Sequence, residues 1–193
     1  MSAREELLAR AVGWFAANGI ADTSLRTLAT ALGTSHRMLH YHFGSREGLL
    51  AAVVEAVERG EQEAARSLLA GHDDPYAAGA AFWSHVADTA QTFAPLFFEL
   101  SSAAMHDRPY AGALREWLTL GWLDVITDGF RRSGFGDPLA RELARLSIAT
   151  ARGLLLELAV TGDRTAVDSA MERFTELVRG FGQNVSGVTN EAV

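Results

Sequence analysis

The sequence predicts an all-α protein: a three-helix N-terminal unit, a long fourth helix leading out of it, and a larger helical domain beyond. Two observations carry that prediction. Apolar residues recur at i, i+3 and i+4 through almost the whole chain, with no sustained alternation of the kind a half-buried strand needs. Several of the periodic segments also open on Ser, Thr or Asp-Pro, and Asn18-Gly19, Gly33 and Gly71 break the chain between them.

The first helix is expected from about Ala3 to Ala17. Ser2 with Glu5 fits a capping box, and Leu7, Leu8, Ala11, Val12 and Phe15 form one stripe. Asn18-Gly19 ends it, and Thr23 or Ser24 caps a second helix that turns Leu25, Leu28, Ala29 and Leu32 inward. Gly33 breaks the chain, and Thr34 or Ser35 opens a third helix to about His42. Ser45 then opens the fourth, with Leu49, Leu50, Val53, Val54 and Val57 at helical spacing. Asp74-Pro75 starts a fifth helix by cap and first-position chemistry. Further helices are expected at about 95–105, 109–133, 138–161 and 163–182, the last two starting at Asp137-Pro138 and Asp163. The tail after Gly182 lacks an apolar face and is expected to be loosely ordered.

Bulk composition limits the possibilities. With 193 residues, 48% hydrophobic and 21% charged, the chain can fold as one large or two small globular domains. No apolar run approaches the roughly 20 residues that span a bilayer, and the charged opening MSAREELLAR lacks a secretory pattern. There is no cysteine, hence no disulfide and no thiolate metal site. A cytoplasmic protein without membrane attachment is the expectation.

Charge is divided unevenly. The formal net charge is -7, yet the first fifty residues hold five Arg against four acids. Within them, Thr23 to Arg46 (TSLRTLATALGTSHRMLHYHFGSR) carries no carboxylate and holds Arg26, Arg37, Arg46, His36, His40 and His42. A small basic surface on an acidic protein suits a polyanion, and the acidic remainder would be repelled by one. Two short helices joined at a Gly turn, with a packing helix before them, are the geometry that places the second of the pair in the DNA major groove. Leu39 and Phe43 make the inward pair of that helix. Thr34, Ser35, Arg37, Met38, His40, Tyr41 and His42 remain for nucleic acid. Arg37 suits a guanine edge, while Tyr41, His42 and Arg46 suit phosphates.

The run TSLRTLATALGTSHRMLHYHFGSREGLL resembles the signature of TetR-type transcriptional regulators, most specifically over residues 5–57. That family runs a helix-turn-helix into an L-Y-x-H-F segment, a short turn with a basic residue, and a Leu-rich fourth helix. Leu39, Tyr41, His42, Phe43, Arg46, Glu47 and Leu49 stand at the matching positions, with Gly33 at the turn; His40 stands where the family usually has Tyr. The resemblance implies a DNA-binding domain over 1–60, with the helix-turn-helix at about 24–43, and an effector-binding and dimerisation domain over 61–193. It also implies a small-molecule pocket, for which Trp83, Phe98, Met105, Trp117 and Trp122 are the candidate lining and Ser102 or His106 the polar contribution. Few charges fall within 76–105, so a largely apolar ligand is expected. For the dimer interface the stripe of the last helix (Val167, Met171, Phe174, Val178) and Gly153 are the candidates.

The reading that results is a homodimeric, ligand-responsive regulator that binds a palindromic operator in double-stranded DNA, with repression carried over from the family. An activator of the same fold is the alternative. Arg26, Arg37 and Arg46 on two chains imply about six phosphate contacts and a log–log salt slope near -5. His36 and His40 share a helix face, but no cysteine or nearby carboxylate completes a metal site, and no cofactor is implied. An enzyme on a helical bundle finds no support, because no nucleophile is spaced beside a base and there is no phosphate-cradling Gly loop.

Overall fold

The computed structural model describes residues 2–20, 23–112 and 121–188, and among these it contains nine α-helices and no strand. They are α1 (Ala3–Asn18), α2 (Leu25–Ala31), α3 (His36–Phe43), α4 (Arg46–Ala70), α5 (Pro75–Asp88), α6 (Ala90–Met105), α7 (Leu123–Arg132), α8 (Asp137–Thr161) and α9 (Arg164–Val188), with a 3-10 turn at Pro109–Ala111. The chain divides into two compact units, residues 1–63 with 92–119 and residues 64–91 with 120–193.

In the first unit the helix starts follow the cap chemistry. Ser2 accepts from the Glu5 amide while the Glu5 carboxylate accepts from the Ser2 amide at 2.7 Å. Ser24 accepts from the Thr27 amide and Ser35 from the Met38 amide, so the serines rather than Thr23 and Thr34 are the caps of α2 and α3. Gly33 occupies the left-handed region at φ 57°, where a side chain would strain the turn between them. Ser45 accepts from the Gly48 amide at the head of α4. A Cβ on Gly48 would lie 2.0 Å from the Phe43 carbonyl oxygen, so only glycine lets α4 start this close to the end of α3. Phe15, Leu28, Leu39, Leu49, Leu50, Val53, Val54 and Leu96 are fully buried. Each such side chain contributes roughly 1.5–3 kcal/mol on leaving water.

α6 begins at Ala90, five residues before the expected start, and carries Pro95 inside it. Proline reads as a helix opener, but Ala90, Ala94, Leu96 and Leu100 are all buried, and their packing outweighs one missing backbone hydrogen bond. Of the helix expected over 109–133, residues 113–120 lie outside the described residues, and α7 accounts for the last part.

The second unit is built on two apolar clusters. One joins Trp83, Ala87, Ala90, Leu158 and Val167; the other joins Phe135, Ala140, Leu143 and Val178. α5 is capped by Asp74 with Pro75 in its first turn, and Asp163 caps α9 through the Ala166 amide. Asp137 is not the cap of α8. Gly136 holds that place, and the Asp137 carboxylate turns to the Arg131 guanidinium at 2.7 Å. α9 continues to Val188, past the expected end at 182.

Candidate nucleic-acid interface

α3 buries Leu39 and Phe43 on one side and leaves the other open. Arg37, Met38, His40 and Tyr41 are exposed on it, Tyr41 by 78%. Ser35 is exposed at its N-terminus and Thr34 is half-buried, while Arg26 is exposed on α2. Neither α2 nor α3 has an acid in its first turn, and both are capped by a neutral hydroxyl. The positive ends of both helix dipoles therefore meet solvent without a carboxylate to offset them, which favours an approaching anion. His36, left out of the sequence-based set, is also exposed, its ring 6.3 Å from that of His40. Its one-turn spacing from His40 was the available signal.

Two expected phosphate anchors have other tasks. Arg46 is half-buried and its guanidinium faces inward: Nε donates to the Thr23 carbonyl at 2.9 Å and Nη2 to the Ile20 carbonyl at 2.7 Å. It braces the loop between α1 and α2. The His42 ring lies edge-on to Tyr41 at 5.0 Å and to Phe43 at 6.2 Å, and its Nε2 is buried without a hydrogen-bond partner. A nitrogen so placed does not face a DNA backbone.

The candidate effector residues divide between the units. Phe98, Ser102, Met105 and His106 are in the first, and Trp83 and Trp122 in the second. Met105 is 76% exposed and His106 and Ser102 are exposed, so none of the three lines an enclosed cavity here. Phe98 is half-buried against Phe97, ring to ring at 5.0 Å. Trp83 is a core residue: it packs with Leu158 and Val167, and its indole N–H donates to Asp168 at 2.7 Å. Asp168 also accepts from Arg164, which reaches Asp88 at 2.7 Å, so α5 and α9 are joined by a polar clamp around the tryptophan. Trp122 is buried and meets Phe82 at 5.0 Å. Trp117 lies outside the described residues. Arg152, missed by sequence reasoning, is half-buried on α8, and burial lowers its pKa from the ordinary guanidinium value.

The stripe expected at a dimer interface splits into two faces. Val167 and Val178 are buried in the chain's own clusters, and Met171 and Phe174 pack against those same clusters. They are core rather than interface, because the 25-residue helix α9 needs an inward face of its own. Ala170, Leu177 and Phe181 point outward, Leu177 by 67% and Phe181 by 49%. On α8 the exposed residues Leu146, Ala149, Gly153, Leu156 and Val160 follow alternating three- and four-residue steps. That is the spacing of a seam between helices.

Residues 7–53 match the family model of bacterial regulatory proteins, tetR family. The N-terminal domain belongs to the TetR family. The whole chain shares its fold with solved regulators. A transcriptional regulator from Rhodococcus sp. Rha1 superposes with a TM-score of 0.78 at 20% identity, over 91% of this chain and 95% of that one. A TetR transcriptional regulator from Legionella pneumophila gives 0.67 at 20% identity, over 96% and 97%. A TetR-family transcriptional regulator from Streptomyces coelicolor gives 0.70 at 20% identity, over 95% and 89%. No curated protein sequence matches the chain. These likenesses show a shared fold, with a TetR-type segment over residues 7–53. No helix among the described residues is long and apolar enough to cross a membrane.

Proposed function

We propose that the chain is a homodimeric repressor, cytoplasmic, released from a palindromic operator by a small, largely apolar effector. One observation carries the DNA half of this reading: the open, carboxylate-free face of α3, with the serine-capped starts of α2 and α3 beside it. Arg37 reads a base edge from that face, Met38 and His40 lie beside it, Tyr41 contacts the backbone, and Arg26 adds a phosphate contact from α2. The outward seams of α8 and α9 support dimerisation, and two reading heads suit half-sites about 34–36 Å apart. Residues 1–60 serve as the DNA-binding domain and 61–193 as the effector and dimer domain, with effector binding acting through α4, the helix that leaves the head.

A mobility shift with the DNA upstream of the protein's own gene tests the reading. Retention of a palindromic duplex, abolished by scrambling one half-site, is the expected result; equal retention of both would overturn it. For the effector half, intrinsic Trp fluorescence should respond to at least one member of a panel of apolar aromatic compounds, and that compound should release the duplex. A flat response across the panel counts against an apolar effector.

A further inference from the structure

Ile20, just past the end of α1, is held from outside the helix-turn-helix. Ile20 is gripped at both of its backbone polar groups by side chains distant in sequence. Its carbonyl accepts from Arg46 of α4 at 2.7 Å, and its N–H donates to the Glu99 carboxylate of α6 at 2.5 Å. Glu99 lies 79 residues further along the chain, yet α6 from Thr92 onward falls in the same compact unit as the head. Gly19 is shaped for this contact. Its φ is 73°, and a Cβ there would lie 2.8 Å from a Glu99 carboxylate oxygen.

The carboxylate stands where the helix field opposes it. Gly19 is the C-cap of α1, the negative end of that helix's dipole, and an acid at such an end is disfavoured. The charge-assisted hydrogen bond from Ile20 offsets this. Both α4 and α6 continue in sequence from the first unit into the second, α4 after Glu63 and α6 before Thr92. Pro95, one turn before Glu99, removes a backbone hydrogen bond from α6 just inside that boundary. α4 and α6 thus hold one residue, and Arg46 ties its carbonyl to that of Thr23, just before the Ser24 cap of α2.

We infer that Glu99 is a positioning residue for DNA reading: through the Ile20 amide α6 holds the end of α1, and Arg46 links Ile20 to Thr23 at the start of α2, so that the setting of the reading helix follows. This rests on the DNA-binding role proposed above. It assigns specificity control to a side chain outside the helix-turn-helix that touches no DNA.

The test uses the full-length chain, an operator duplex selected from random sequence, and a scrambled duplex of equal length. Hydrogen exchange at Ile20 is followed alongside affinity for both. In Glu99→Ala the Ile20 amide should exchange at least tenfold faster, operator affinity should fall about five- to tenfold, and affinity for the scrambled duplex should stay within twofold. Glu99→Gln, whose amide oxygen can accept the same hydrogen bond, should retain most of the operator affinity. Unchanged Ile20 exchange in Glu99→Ala would overturn the inference. So would faster exchange with operator affinity intact, or equal losses on both duplexes. If the wild-type chain selects no sequence, the DNA reading itself fails, and exchange at Ile20 alone then decides whether Glu99 holds the loop.

Discussion

Salt titration of operator binding separates the three arginines of the head. Each phosphate contact releases condensed counterions, so log Kobs falls with log salt by about 0.9 per contact on duplex DNA. Arg26 is exposed and proposed as a phosphate contact, so two protomers contribute about -1.8 to the slope from this residue, while Arg37, assigned to a base edge, is not counted. Arg46 adds nothing to that slope, because its Nε and Nη2 are spent on the Thr23 and Ile20 carbonyls. Arg26→Ala removes one contact per protomer and should flatten the slope by about 1.8. Arg37→Ala should weaken the preferred sequence more than others, since a bidentate base contact contributes roughly 1–3 kcal/mol of discrimination. Arg46→Ala should lower operator affinity while leaving the slope within about 0.5 of wild type, because it loosens a loop and not a phosphate contact. Fluorescence anisotropy from 50 to 300 mM potassium chloride, on the order of six concentrations, suffices for the comparison. If Arg46→Ala flattens the slope as much as Arg26→Ala, the assignment of Arg46 to the loop is wrong.

Three other outcomes follow from the packing. Asp168→Ala leaves the Trp83 indole N–H without its acceptor in a site 8% exposed, costing about 1–3 kcal/mol. The melting midpoint should drop about 2–12 °C, and Trp83→Phe in the same background should recover part of it; an unchanged midpoint by calorimetry would refute the clamp. Leu177→Arg places a charge on the outward face of α9, and losing the copies that the proposed dimer would bury, one from each protomer, should cost that dimer about 3–6 kcal/mol. Sedimentation should then show monomer at micromolar protein with helical content intact, and a dimer of wild-type affinity would remove α9 from the interface. Gly48→Ala forces a methyl group to 2.0 Å from the Phe43 carbonyl and should destabilise the head by about 1–3 kcal/mol, seen as lower urea resistance; a neutral effect would show that α4 can start elsewhere.

Local chemistry was legible in the sequence and long-range partnership was not. Ser24, Ser35, Asp74 and Asp163 cap helices because a hydroxyl or carboxylate meets amides two or three residues away, a contact spelled out by spacing alone. Leu39 and Phe43 could be chosen as the inward pair over Met38 because one turn separates them. Arg46 could not be read this way. On charge it suits a phosphate, and only folding brings it to carbonyls 26 and 23 residues back. The stripe of α9 was visible as apolar, but periodicity does not say which half of a wide stripe meets the chain's own core. Trp83 was taken for a pocket wall because the Asp168 that satisfies its indole lies 85 residues away. Glu99 gave no local sign at all, since its partner is a backbone amide on the far side of the sequence.

The choice of cap residues has a consequence for engineering. Asp starts α5 and α9, whereas Ser starts α1 to α4, among them the two helices proposed to meet DNA. The two residues cap about equally well, and aspartate adds favourable charge at the dipole's positive end. Ser35→Asp should therefore be tolerated by the isolated fold, while setting a full negative charge on the face proposed to meet DNA. Heat resistance and DNA affinity pull in opposite directions at that position. A screen for thermostable variants would enrich aspartate there and return well-folded regulators that have lost their operator.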